Sequence, residues 1–238
     1  MRHGGITVAL IGADGAGKTT LAHRLREKLP GPTLYLYLGI NPEASSTALP
    51  ITRAIRALRR SRGVAVEQGG PREFTTKHHL ERDAPSFAGS ALGLVRRWVR
   101  LLNLLLEEWY RQLHARRARA QGTTVILDRH FFFDYYAHDI TDLSGRRSPL
   151  RRIHGWFLSL LPLPDLVVLL DAPPNVLYAR KPEGSFADVA RRRGEYLEIS
   201  KAFGNVRRVN AARSRTEVEQ EVFGIISDEI LRRGFFRG

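Results

Sequence analysis

The sequence predicts an α/β fold: a five-stranded parallel sheet flanked by helices on both faces, with a lid. Three observations predict it. Short apolar runs rich in β-branched residues alternate with amphipathic helical stretches. A glycine-rich turn joins the first strand to the first helix. An Asp-Arg pair directly follows a central apolar run.

The first run, Ile6–Ile11, is continuous and apolar, as a strand buried on both faces requires. Thr19–Leu29 follows as a helix, with Leu21, Leu25 and Leu29 four apart on one side. Thr33–Leu38 alternates as a second strand, and Ile51–Arg62 reads as a basic helix. Residues 63–90 carry glycine, proline and many charges without periodicity, and read as a mobile loop. Leu92–Ala120 is a long helix, Thr123–Leu127 a third strand, and Pro149–Leu161 an amphipathic helix closed by Pro162. Asp165–Leu170 is a fourth strand. Asn175–Phe203 is helical around a break near residues 182–184, so residues 180–193 read as the lid region. Val206–Val209 is the fifth strand and Thr216–Arg232 the closing helix. The 238 residues suit one domain spanning 1–238.

Between strand one and helix one stand Gly12, Ala13, Asp14, Gly15, Ala16, Gly17, Lys18, Thr19 and Thr20. They satisfy G-x-x-x-x-G-K-[ST], the phosphate-cradling loop. The glycines let successive N–H groups converge on an anion, and the helix dipole adds positive potential there. Lys18 is expected to reach the β- and γ-phosphates, and the Thr19 hydroxyl to ligate Mg²⁺. Asp128 and Arg129 sit beyond the carboxyl end of strand three, where open α/β sheets keep their chemistry. Asp128 suits Mg²⁺ or its water shell, and Arg129 suits bidentate phosphate binding; the structural alternative is a capping Asp beside a surface Arg. Arg180 and Arg193 flank the lid, where an Arg can neutralise a transferring phosphoryl group; the alternative is a solvated basic face. The run Phe131–Tyr136 either stacks on a ring or packs a short helix into the core, and the second is favoured. His78 and His79, adjacent on a polar stretch, do not make a metal site.

Composition bounds the rest. There is no cysteine, hence no disulfide framework or thiolate metal centre. No run is long enough to span a bilayer, and no signal peptide is read, so a soluble cytoplasmic protein is expected. The 38 basic and 24 acidic residues give a formal charge of +14, and all basic residues but Lys18, Lys28, Lys77, Lys181 and Lys201 are Arg. Such a field favours anionic ligands without choosing among them. Leucines 101, 102 and 104–106, with Trp98, Trp109 and Tyr110, leave the long helix little polar surface. Three readings stand: core burial, a homodimer face, or peripheral membrane contact aided by the flanking arginines.

The loop, the Asp128-Arg129-His130 stretch, Leu170-Asp171-Ala172-Pro173-Pro174 and Arg193-Gly194-Glu195-Tyr196-Leu197 together resemble the thymidylate kinases and their broader kin. The resemblance is collinear along the chain. It implies a P-loop kinase fold, ATP·Mg²⁺ as donor, and a small-molecule acceptor held by the loop, the Asp-Arg pair and a lid. It implies Asp14 on the acceptor's sugar hydroxyl, Arg129 on its phosphate, and Arg180 and Arg193 at basic lid positions. Ala16 matches members whose lid supplies the catalytic Arg. One motif departs: where these kinases carry R-E-P-G-G-T, this chain reads residues 38–45 without Arg and with Glu43. dTMP is therefore expected to be a poor acceptor, with another nucleotide or a phosphorylated sugar or lipid in its place. Arg53 or Arg56 is the candidate substitute for the missing Arg, and Arg111 an acceptor-helix counterpart.

A P-loop switch or a nucleic-acid-associated ATPase is the competing class. It lacks support from an N-K-x-D motif, a strand-terminal Asp-Glu pair, or an aromatic-studded basic groove. No obligate nucleic-acid partner is expected. A degenerate, non-catalytic nucleotide binder is weighed against by the intact Lys18, Thr19, Asp128 and Arg129.

Overall fold

The computed structural model describes residues 5–39, 49, 91–141, 148–182 and 184–233. The expected basic helix at 51–62 and loop at 63–90 lie outside the described residues. So do Glu43, Arg53, Arg56, His78 and His79.

Five parallel strands form one sheet: β1 (Thr7–Ile11), β2 (Thr33–Tyr37), β3 (Thr124–Asp128), β4 (Leu166–Asp171) and β5 (Val206–Asn210). Their spatial order is β2-β3-β1-β4-β5. β1 pairs with β3 (Thr7 opposite Val125) and with β4 (Val8 opposite Leu166). Among the described helices, α1 (Lys18–Lys28) follows β1, and α2 (Ala91–Ala120) precedes β3. Helix α3 (Phe131–Tyr135) runs into a π-helical turn (Tyr136–Ile140), followed by α4 (Pro149–Ser159). Next come α5 (Pro174–Arg180), α6 (Phe186–Ala202) and α7 (Arg215–Arg232). The expected elements in the described regions form within one or two residues of their predicted ends, and the break within 175–203 spans 181–185.

Side-chain alternation divides the central strands between two cores. Val8, Leu10, Ile126 and Val168 face a cluster completed by Leu21 and Leu25 of α1 and Val222 and Ile226 of α7. Ala9, Ile11, Val125 and Leu127 face the other cluster, with Phe131, Phe133, Leu158 and Tyr196. The aromatic run after β3 thus belongs largely to the core: Phe131, Phe132, Phe133 and Tyr135 are buried. Helices α6 and α7 both start on capping boxes, Ser185 with Asp188 and Ser214 with Glu217.

Helix α2 is not apolar all round. Leu101 and Leu105 face inward beside Leu150, Ile153 and Phe157. Glu107, Glu108, Arg111 and Gln112 are also buried. Leu92, Val95, Val99, Leu102, Leu106, Trp109 and Leu113 face outward. Inside, His154 of α4 is fully buried between the Asp139 carboxylate at 2.7 Å and that of Glu108 at 3.1 Å. Burial opposes its charge, but Glu108 and Asp139 outweigh this and push His154 up to about 9. Arg151 closes the cluster on Asp139 at 2.8 Å. No described helix is long and apolar enough to cross a membrane.

Candidate active site

The order β3-β1-β4 sets the site. The chain leaves the central strand β1 for one side of the sheet and later fills the other, which opens a crevice at the strands' carboxyl ends. The glycine loop lies in that crevice. Gly12 has φ 139°, and a Cβ there would collide with the Leu170 carbonyl oxygen, so the tight passage past β4 needs glycine.

A cavity of about 690 Å³ opens over the loop. Asp14, Gly15, Ala16, Gly17, Lys18, Thr19 and Thr20 line it. Gly12 lies below, where its carbonyl accepts a 2.8 Å hydrogen bond from Lys18 Nζ; the Ala13 carbonyl accepts another at 2.9 Å. Lys18 is buried, and desolvation pushes its ammonium down to about 8. Arg129 acts in the same sense, while Asp14, Asp128 and Asp134 oppose it.

Asp128 is fully buried at the end of β3. Its Oδ2 accepts the Thr19 hydroxyl at 2.6 Å and the Tyr35 hydroxyl at 3.0 Å. Its Oδ1 has no hydrogen-bond partner among the described residues. A hydroxyl beside a carboxylate with an unused oxygen is a donor set that fits Mg²⁺. Tyr35 was not foreseen; a Tyr in an alternating strand signals nothing about its neighbour across the sheet.

Arg129 pairs with Asp14 across the crevice. Burial works to raise the Asp14 carboxyl, but Arg129, and after it Lys18, Lys181 and Arg192, hold it well below the usual carboxylate range. The two residues expected on separate acceptor groups therefore contact each other.

The two lid arginines part company. Arg180 lines the cavity, and its Nη1 donates to the Ala211 carbonyl at 2.7 Å. Arg193 does not line it: its Nε and Nη2 bind the two Asp171 oxygens at 2.6 and 3.0 Å, and Arg208 joins at 2.7 Å. Arg193, expected at a basic lid position, thus points to the carboxylate at the end of β4 and not to the cavity. Arg111 is likewise inward: its guanidinium donates to the Gly39 carbonyl at 3.2 Å and lies 4.6 Å from the Phe131 ring centroid.

The cavity also takes Arg24, Lys181, Ala211, Arg213 and Arg215 into its walls, so seven cations face two carboxylates, Asp14 and Glu219. That balance suits a polyanion. The segment Ala211–Arg215 was missed as a site element. It carries only a capping box in sequence, and its position beside the loop comes from β5 lying next to β4.

No family model matches the chain. A probable thymidylate kinase of Sulfolobus acidocaldarius is 24% identical over 227 residues, covering 92% of this chain and 95% of that one. The solved structure of thymidylate kinase from Candida albicans superposes with a TM-score of 0.60 at 19% identity, over 94% of this chain and 92% of that one. The chain is thus similar to thymidylate kinases in sequence and in fold, at a distance. The likeness runs nearly end to end and includes the parallel sheet with its flanking helices.

Proposed function

We propose that this chain is an ATP-dependent nucleotide kinase that uses Mg²⁺ and transfers the γ-phosphoryl group to a nucleoside monophosphate or a related small phosphorylated or hydroxyl acceptor. The observation that carries the reading is the Thr19–Asp128 contact at 2.6 Å beneath a glycine loop holding a buried Lys18. Lys18 exchanges the Gly12 and Ala13 carbonyls for phosphate oxygens and stabilises charge on the β- and γ-phosphates. Thr19 and Asp128 would hold Mg²⁺, whose charge would neutralise phosphate charge during transfer. Arg129 orients the acceptor phosphate, with Asp14 steering the guanidinium. Arg180, on the cavity wall, is the basic lid residue assigned to the transferring group, and Arg193, committed to Asp171, receives no role.

An ATP-consumption screen over nucleoside monophosphates, nucleosides and phosphorylated sugars and lipids tests the proposal. Acceptor-dependent turnover is expected, with dTMP a weak acceptor because the loop after β2 lacks an Arg. If dTMP is the best acceptor at micromolar concentration, the reading of that loop fails and the kinase reading stands. Stimulation by DNA or RNA without any small acceptor overturns the kinase reading.

A second copy of the chain is the partner proposed for the outward face of α2. Leu92, Val95, Val99, Leu102, Leu106, Trp109 and Leu113 follow a strict three-four spacing, each between 38% and 59% exposed. That is the seam along which two helices interlock. Light scattering after gel filtration checks it: a dimer is expected, and a monomer for Leu102→Glu/Leu106→Glu.

A further inference from the structure

Arg129 is the one described non-glycine residue with positive φ, 70°. An L side chain keeps such a conformation only where its surroundings over-determine it. Its backbone N–H donates to the Leu10 carbonyl at 3.0 Å. Its side chain passes beside Gly39, where an added Cβ would come within 2.6 Å of Arg129 Cδ. The guanidinium then ends between two carboxylates, Asp14 of the loop and Asp134 of α3, whose Oδ1 lies 4.0 Å from Nη1.

Asp134 differs from Asp14. It does not line the cavity, and it is buried. Helix α6 grips it at three points. The Tyr196 hydroxyl donates to Oδ1 at 2.5 Å. Arg192 Nη1 donates to the Asp134 backbone carbonyl at 3.2 Å, and its Nη2 stands 3.7 Å from Oδ1. Arg192 is itself set by Glu195 at 3.1 Å and by the Tyr196 ring, 5.2 Å from its guanidinium carbon.

We propose that Asp134, Arg192 and Tyr196 are positioning residues for Arg129, a brace from α6 that fixes the direction in which its guanidinium faces the acceptor. The inference rests on reading Arg129 as the acceptor-phosphate ligand. The physical reason is the fork geometry of Arg. Two parallel N–H donors match a phosphate only in one plane, so a guanidinium tethered by Asp14 alone turns about that contact, whereas a second carboxylate stops the turn. A near-attack geometry is lost with small misplacement of such a group. Because α6 begins just beyond the segment that follows Arg180, the brace also ties the lid region to the acceptor ligand.

The test is side-chain NMR of the full chain labelled with ¹⁵N-arginine, with the Arg129 Nε–H signal assigned by its loss in Arg129→Lys. Tyr196→Phe removes one oxygen and keeps the ring; Arg192→Gln removes the charge. Each is expected to speed exchange of the Arg129 Nε–H with water at least tenfold, while the buried Arg111 signal stays unchanged. In kinetics, each is expected to raise the acceptor KM about tenfold at an unchanged KM for ATP, with Arg192→Lys recovering part of the loss. Unchanged Arg129 exchange in both variants, with thermal unfolding showing them folded, overturns the brace. The NMR result decides this independently of turnover, so a wild type without acceptor-dependent activity would sink the kinase reading and leave the brace to be judged on exchange.

Discussion

Helix α1 buries Leu21, Ala22 and Leu25 and turns His23, Arg24, Arg26, Glu27 and Lys28 toward solvent. Over residues 101–113, helix α2 buries Glu107, Glu108, Arg111 and Gln112 while Leu102, Leu106, Trp109 and Leu113 remain exposed. α1 buries both of its leucines, whereas α2 buries Leu101 and Leu105 and leaves Leu102, Leu106 and Leu113 outside. The difference lies in what each helix meets. α1 lies on the sheet, and its leucines pack on the sheet's apolar residues. α2 meets α4, where His154 Nε2 donates to the Glu108 carboxylate, and the chain just after β2, where the Gly39 carbonyl accepts from Arg111. A buried ion is tolerated where a fixed partner is present, and an apolar face left outward asks for a partner from outside. α1 has one buried charge, Lys18, and it faces the cavity.

The contrast predicts that buried charge serves chemistry in α1 and stability in α2. Lys18→Ala is expected to lower turnover by orders of magnitude, about 3–4 kcal/mol of barrier, with thermal stability held. Near-normal turnover in the folded variant would remove the phosphate role of Lys18. Glu108→Ala is expected to act the other way round. Leaving the buried His154 Nε2 without its carboxylate, with Asp139 still held by Nδ1 and Arg151, should cost about 1–3 kcal/mol of stability, read by denaturant unfolding, with little change in the KM for ATP. A stable Glu108→Ala protein would make the buried cluster dispensable and end the comparison.

Within the site, the same logic separates two neighbours in sequence. Asp128→Asn is expected to raise the Mg²⁺ concentration needed for half-maximal rate at least tenfold, and Arg129→Ala to raise the acceptor KM instead. Matching Mg²⁺ titrations for wild type and Asp128→Asn would remove the metal role.

The smallest effects are in pH. His154 is charged more readily folded than unfolded, so its contribution is complete below its ordinary value near 6.5 and is lost as pH rises toward about 9. Unfolding free energy is expected to fall by roughly 1–2 kcal/mol across that window, and His154→Gln to flatten the profile. Lys18, lowered to about 8, loses charge over a similar range, so ATP affinity is expected to weaken several-fold between pH 7 and 9. Lys18→Arg should abolish that slope, because guanidinium keeps its proton. A flat wild-type profile would mean that Lys18 stays charged throughout.

Local rules were enough to read the sheet strands, the glycine loop and α1 from the chain. Continuous β-branched runs have few alternatives to buried parallel strands, and a loop with glycines at 12, 15 and 17 before Lys18 has few alternatives to a phosphate cradle. Thr19, Asp128, Arg129 and Arg180 were nameable because they sit beside those landmarks. Tertiary structure decided which partners they meet. Only strand order sets Asp128 against Thr19 and Tyr35, places Asp14 on Arg129, and carries Ala211–Arg215 to the cavity wall. Arg180 and Arg193 look alike in sequence, and the nearby Asp171 carboxylate separates them. The inversion of α2 belongs to the same class. Hydrophobic periodicity reports which residues share a face, but the neighbour that covers each face comes from contacts far away in the chain.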